Sequence, residues 1–334
     1  MTQKTTAPLL EIDGLYAGIP RRGEVQSILR DVALSIRPGE MVGVVGESGS
    51  GKSMTALSIL GLLPPSVRIT AGTVSFGGED LASAPDRVLR RVRGRRIGMV
   101  FQDPMTTLDP VVRVGRQIEE AYRIHHPRAR RSEARTRAAE VLDLVGVPDV
   151  RRRMDQYPHQ WSGGMRQRAV IAMALVNDPE LLIADEPTTA LDATIQAQVL
   201  EVLARARSEL GVAIMLITHD LGVIAQYADR VLVMYAGQMM ESATTAELFH
   251  DSRHPYARAL IRSRPGLVEP GRRLAAIPGQ PPSLDALPTG CPFAPRCTAP
   301  FKSDRCRDEP TALAPSADGR LSACHYRDRK EEGR

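Results

Sequence analysis

Residues 41 to 53 read MVGVVGESGSGKS. Met41 to Val45 form a short apolar run with the length and valine content of a buried strand. Gly46, Glu47, Ser48, Gly49, Ser50 and Gly51 follow, and Lys52 and Ser53 open a helical pattern. That pattern runs to about Leu63 and is stopped by Pro64 and Pro65. The eight residues from Gly46 fit G-x-x-x-x-G-K-[ST], placed between a strand and a helix as that motif requires. Glycines let backbone N–H groups turn inward around phosphate oxygens, and the helix N-terminus adds its dipole. Lys52 can reach β- and γ-phosphates, and the Ser53 hydroxyl can ligate Mg²⁺.

Outward from this loop, strands and helices alternate. Leu9 to Ile12 and Ile28 to Ile36 read as strands separated by a polar turn. Leu181 to Ala184 and Val212 to Ile217 read as buried strands, and Val231 to Met240 as a hairpin turning at Ala236-Gly237. A helical, polar subdomain is expected over about 104–165, where Ala134, Ala138, Val141, Leu142 and Val145 make one apolar stripe. Ala193 to Leu210 reads as a helix with Ile195, Val199, Val202, Leu203 and Leu210 on one face. Buried-type strands alternating with helices imply an α/β domain on a largely parallel sheet. After about residue 250 prolines crowd the sequence and all four cysteines appear. The expected layout is therefore 1–250 as the nucleotide-binding domain and 251–334 as a small, loop-rich appendage.

A second chemical element is LLIADEP, residues 181 to 187. Its apolar run delivers Asp185 to a strand end, where it can hold a metal's water shell. Glu186 follows and can polarise an attacking water as general base. Between the two elements lies WSGGMRQR, residues 161 to 168, a serine and two glycines at a helix start.

These residues together resemble the ABC ATPases. WSGGMRQR is similar to that family's L-S-G-G-Q signature, with Trp161 and Met165 in place of Leu and Gln and with Ser162, Gly163 and Gly164 intact. The resemblance implies an α/β fold with a mixed sheet core, an antiparallel N-terminal β subdomain and a helical subdomain. It implies a dimer in which the signature of one subunit closes over ATP held by the phosphate loop of the other. Gln102, in VFQDP, matches the family residue that senses metal and γ-phosphate. TTALD, residues 188 to 192, matches the loop crossing the dimer interface, with Asp192 as its acid. His219, in LITHD, matches the histidine that contacts the γ-phosphate. The catalytic set so implied is Glu186, His219 and Lys52, and the Mg²⁺ set is Ser53, Gln102 and Asp185.

Finer features resemble the oligopeptide and dipeptide importer branch: FQDPMTTLDP (101 to 110), YPHQWSGGMRQR (157 to 168), HPYARALI (254 to 261), IPGQPPSL (277 to 284) and CPFAPRC (291 to 297). The branch implies two transmembrane permease subunits and an extracytoplasmic solute-binding protein. It also implies a second ATPase, either a related chain or another copy of this one. Peptide, nickel, glutathione and sugar-like cargo stay open. The branch carries an adenine-stacking aromatic ahead of the phosphate loop. The aligned position here is Ile19, with Tyr16 the candidate if the strand bends at Gly18.

Composition limits the alternatives. No run approaches the roughly 18–20 apolar residues of a membrane span, and the N-terminus lacks a secretory pattern. The expectation is a peripheral protein on the cytoplasmic face of the cell (inner) membrane. Arginines cluster at 90–96 and 128–131, which raises a nucleic-acid-associated ABC ATPase as the alternative. No aromatic residue is interleaved with them to stack on bases, and there is one cassette with one compact helical insert, so no nucleic acid is expected. Cys291, Cys297, Cys306 and Cys324, spaced C-x5-C-x8-C-x17-C, suggest a metal in a reducing compartment. The expectation is a [4Fe–4S] cluster, with zinc and unligated thiols in a small core as alternatives.

Overall fold

Backbone conformation in this chain is set at its turns. The computed structural model describes residues 7–21, 24–102, 107–189, 191–263 and 276–329. In chain order the strands are β1 (Leu10–Arg21), β2 (Glu24–Ile36), β3 (Met41–Val45), β4 (Arg68–Phe76), β5 (Glu79–Asp80), β6 (Ile97–Val100), β7 (Leu181–Asp185), β8 (Ala213–Ile217), β9 (Arg230–Tyr235), β10 (Gln238–Thr244), β11 (Ala314–Pro315) and β12 (Leu321–Ser322). The helices used below are α1 (Lys52–Ile59), α2 (Asp86–Val92), α3 (Val114–His125), α4 (Arg131–Leu144), α5 (Val150–Arg153), α6 (Gly163–Leu175), α7 (Ala193–Leu210), α8 (Leu221–Tyr227), α9 (Thr245–Asp251) and α10 (Pro255–Arg262). Residues 103–106, in FQDPMTTLDP, lie outside the described residues.

The chain divides into two compact units. One is built chiefly of Ile36–Met41 and Ala84–Ile217. Its strands β6, β7 and β8 pair in parallel, Ile97 against Leu181 and Leu181 against Ala213. All five residues of β7 and of β8 are buried, as near-continuous apolar strands covered on both faces require. Helices α3, α4 and α6 pack together. The stripe Ala134, Ala138, Val141, Leu142 and Val145 is wholly inside, each at most 1% exposed. On α7 the buried face is Val199, Leu200, Val202, Leu203 and Ala206, while Ile195 and Leu210 are only half-buried. The 3.6-residue period carries Leu200 and Ala206 onto the covered side.

The other unit holds the described residues of Leu9–Ser35, Val42–Ser83 and Thr218–Arg334. A four-stranded sheet runs in the order β2-β1-β4-β5, with β1/β4 and β4/β5 antiparallel. A second, mixed set runs β3-β9-β10-β12-β11, with β3/β9 parallel and the rest antiparallel. The expected hairpin forms: β9 and β10 are joined by Ala236 (φ 46°) and Gly237 (φ 81°). Residues after 250 belong to this same unit as the phosphate loop. Helix α1 is shorter than expected, ending at Ile59 before Gly61 (φ 59°).

Gly237 is required for two separate reasons. Its φ is left-handed, and a Cβ there would lie 2.1 Å from the Ile28 carbonyl oxygen. Gly237→Ala should therefore cost about 2 kcal/mol or more of stability, read as a lowered denaturation midpoint against wild type.

Candidate nucleotide-binding site

Lys52 is 6% exposed, and its position is fixed by the loop before it. Its Nζ donates to the carbonyls of Gly46 (2.9 Å) and Glu47 (3.0 Å) and to Ser50 Oγ (3.4 Å). The Ser50 N–H donates to Glu47 O at 3.1 Å, closing the loop, and Ser50 O accepts from the Gly237 N–H at 2.8 Å. Gly46 admits no side chain, because a Cβ would stand 2.1 Å from Met234 O. Gly51, at φ 105°, caps α1 in a conformation that suits glycine. Ser48 and Gly49 are exposed at the loop tip, and Ser53 is half-buried in the first turn of α1. A lysine folded onto its own loop beside a helix N-terminus is a cradle fitted to phosphates.

Glu47 is tied to the C-terminal residues. Its N–H donates to Tyr256 Oη at 3.0 Å, and its carboxylate receives Arg296 Nη1 at 2.8 and 3.1 Å. Nothing in a motif pattern flags either partner. The sequence signals were HPYARALI, in which Tyr256 sits, and CPFAPRC, in which Arg296 sits. His219 lies in this unit too. The Thr218 N–H donates to Val44 O at 3.2 Å, which places the exposed His219 beside the end of β3, where the phosphate loop begins. Tyr16 is 38% exposed on β1. The irregularity there falls at Asp13 to Ala17, not at Gly18, whose Cβ position is blocked by Gln26 O at 2.5 Å.

The second group of residues belongs to the other unit. Asp185 ends β7 and is 5% exposed. Glu186 has φ 46°, a left-handed value unusual for a non-glycine residue, and its N–H is held by Ile217 O at 2.9 Å. Its Oε2 accepts from Thr189 Oγ1 (2.8 Å) and Gln102 Nε2 (3.3 Å). Gln102, Glu186 and Thr189 are thus brought together, with the carboxylate oriented at a strained turn. The strain at Glu186 was invisible in the sequence, and so was the bond to it from Thr189, which was read only as part of TTALD.

Ser162 caps α6, its Oγ accepting from the Met165 N–H at 3.4 Å, and Ser162 and Gly163 are exposed. Gly164 is buried, since a Cβ would meet Ile195 Cγ2 at 2.6 Å. Asp192 caps α7 through Oδ1 and the Ile195 N–H at 3.0 Å. The structure therefore gives this acid a helix-capping task within its own chain.

The cysteine expectation is corrected. Cys291, Cys297, Cys306 and Cys324 line one cavity with His254, Phe293 and Tyr326, so the clustering was legible. Among the described residues, however, no group of three or more His, Cys, Asp or Glu is arranged to hold a metal ion. The shared cavity has about 20 Å³ of room, roughly that of one water rather than an iron–sulfur cluster. Burial pushes the Cys291 thiol up to about 11 and the Cys324 thiol up to about 12. Neither the [4Fe–4S] cluster nor zinc is supported. His254 stays neutral because burial lowers it to about 3. Its Nδ1 accepts the Tyr256 N–H at 3.0 Å, leaving Nε2 to face Cys291 Sγ at 3.9 Å.

Comparison with known proteins bears on the family. Residues 29–189 match the family model described as ABC transporter, and residues 240–306 match that of the oligopeptide/dipeptide transporter C-terminal region. The oligopeptide transport ATP-binding protein OppD of Mycobacterium tuberculosis is 50% identical over 319 residues, covering 95% of this chain. The chain spans about half of that relative's length, 52%. A putative peptide import ATP-binding protein of Brucella abortus is 48% identical over 329 residues, covering 95% of this chain and 96% of its own. Among solved structures, the ATP-binding cassette MJ0796, a dimer in a post-hydrolysis state with ADP and Pi, is 29% identical. It superposes with a TM-score of 0.63, over 71% of this chain and 98% of its own. cbiO1 of Clostridium perfringens, part of an ABC transporter complex, is 26% identical with a TM-score of 0.63, over 74% of this chain and 92% of its own. With its phosphate loop, signature helix and C-terminal region all matched, the chain belongs to the ABC transporter ATP-binding proteins, in the oligopeptide/dipeptide import group.

Proposed function

We propose that the chain is the ATP-hydrolysing subunit of an importer that takes up peptides. What supports this most is 48% identity over 95% of the chain to a peptide import ATP-binding protein, with the phosphate loop, Asp185-Glu186 and the Ser162-Gly163-Gly164 core of the signature all present. Lys52 and the N–H groups of the Gly46 to Ser53 loop, other than those of Glu47 and Ser50 that are bonded to Tyr256 and Glu47 O, take the phosphates of ATP. Ser53, Asp185 and Gln102 are the residues that would hold Mg²⁺, which offsets phosphate charge when bound. Glu186, oriented by Gln102 and Thr189, takes the proton of the attacking water, and His219 contacts the terminal phosphate. Ser162, Gly163 and Gly164 serve the nucleotide of a partner ATPase, with Asp192 in the crossing loop. Tyr16, which sits at the irregularity of β1 rather than beside a bend at Gly18, is the candidate for stacking on adenine, with another residue the alternative.

The layout follows as 1–250 for the cassette and 251–334 for the group-specific extension. The partners are two transmembrane permease subunits, a second ATPase that is either a related chain or a copy of this one, and indirectly a solute-binding protein outside the membrane. Among the described residues no helix is long and apolar enough to cross a membrane, which fits a peripheral place on its cytoplasmic face. The nucleic-acid reading loses support. Arg90 and Arg93 bond Asp86 at 2.6 and 3.2 Å, and Arg96 bonds Glu180 at 2.5 Å, so these guanidiniums pair with carboxylates on the surface of their own chain.

Glu186→Gln should lower turnover by about 100-fold or more while ATP still binds, measured as phosphate release against nucleotide titration in the assembled transporter. Lys52→Ala should instead weaken ATP binding itself, by about tenfold or more. Near-wild-type hydrolysis by Glu186→Gln would remove Glu186 from the role of base.

Because each site needs a partner's signature, activity per molecule of the isolated chain should rise with its concentration or with added partner ATPase. Turnover independent of concentration in a verified monomer would rule out the shared site.

Tyr16→Ala should raise the KM for ATP about fivefold with little change in kcat, the loss of one base–aromatic stack. An unchanged KM, alongside equal use of ATP and GTP by both proteins, would make Tyr16 an ordinary surface residue.

A further inference from the structure

Glu47 places a carboxylate inside the loop that receives a polyanion. A negative charge there opposes phosphate binding unless a cation compensates it locally. The compensating cation is Arg296, far along the chain in the C-terminal extension. Its side chain is 6% exposed, and Nη1 stands 2.8 and 3.1 Å from the two oxygens of Glu47. The guanidinium cannot swing away. Nη1 also reaches Tyr235 Oη at 3.1 Å, Nε donates to Pro278 O at 2.8 Å, and the group lies 5.7 Å from the centre of the Tyr235 ring. Tyr256 adds a second hold through the Glu47 N–H, and its ring packs with Tyr235 and Phe293 at centroid distances of 4.6 and 5.2 Å.

We propose that Arg296 is a positioning residue for nucleotide binding: it neutralises and holds Glu47, so that ATP affinity depends on the C-terminal extension. The inference rests on the reading of the phosphate loop as an ATP site. It goes beyond that reading by assigning the extension a part in the site's electrostatics. Since Arg296 acts on the residue that opens the loop, its loss falls on ATP affinity and leaves the rate at saturation alone.

The test uses the full chain, with ATP and Mg²⁺ titrated to equilibrium at low ionic strength and turnover measured at saturating ATP. Arg296→Met should weaken ATP binding about tenfold with kcat within about twofold of wild type, an effect that shrinks as salt is raised. Adding Glu47→Gln to Arg296→Met should restore affinity to within about threefold of wild type, because no charge is left to compensate. A double variant as weak as Arg296→Met would reduce the contact to a fastening of the extension and overturn the proposal. Glu47→Gln alone, which does not depend on the folding of Arg296→Met, should bind ATP at least as tightly as wild type. Weaker binding by that variant would overturn the proposal equally. A wild-type chain that binds no ATP would overturn the underlying reading, and the inference with it.

Discussion

The base of the phosphate loop depends on one steric constraint, the absence of clearance where Gly46 and Gly51 meet Met234 of β9 and where Gly237 of the hairpin meets Ile28 of β2. A Cβ on Gly46 would meet Met234 O at 2.1 Å, one on Gly51 would meet Met234 Cε at 2.7 Å, and one on Gly237 would meet Ile28 O at 2.1 Å. At Gly46 and Gly237 backbone therefore lies directly on backbone, and hydrogen bonds replace the missing side chains. Ser50 O receives the Gly237 N–H, and Gly237 O receives the Arg30 N–H, both at 2.8 Å. A loop fixed this way loses little conformational freedom when a phosphate arrives, which is how preorganisation favours binding.

The same hairpin carries the constraint outward. Tyr235, the last residue of β9, packs edge-on to Phe293 at 5.5 Å and hydrogen-bonds Arg296. Glu241 on β10 is fully buried and accepts the N–H groups of Arg253 and His254 at 2.8 and 2.7 Å. Burial pushes this carboxyl up to about 7, against the lowering effect of those two N–H groups. A buried acid satisfied by two backbone donors costs less than one left alone, and it fixes where α10 begins. Helix α10 then brings Tyr256 to Glu47. The extension is thus joined to the loop through polar contacts with fixed geometry, which specify one arrangement more than they add stability.

The chemistry-bearing motifs were legible because each is local. Phosphate loop, Asp185-Glu186, signature and Thr218-His219 all lie within a few residues of a strand end or helix start. The helical stripe on α4 was legible for the same reason, since its period is fixed by the helix itself. Strand β4 was not read, because Gly72 interrupts its pattern and its polar residues face outward. Its place comes from pairing with β1, where Gly72 fits against Gly14 too closely for any side chain (2.2 Å to its carbonyl oxygen). The Arg296–Glu47 pair was illegible because no periodicity links residues so far apart. The cysteines show the opposite limit. Spacing indicated that they gather, and they do, but gathering did not decide ligation. That turns on cavity size and on how the side chains are arranged in space, which a one-dimensional pattern does not contain.

In the signature region one buried glycine holds two exposed features side by side. Gly164 lets Ile195 of α7 sit where a side chain would be, so the N-termini of α6 and α7 are pinned side by side. Ser162 caps the first helix and Asp192 the second, each using its own side-chain oxygen. Leu191 approaches Gly163 as well, at 3.9 Å from a Cβ built there. The exposed Ser162-Gly163 turn and the Asp192 turn are therefore two parts of one rigid surface. A displacement of either would have to break a cap and open the Gly164–Ile195 contact at once.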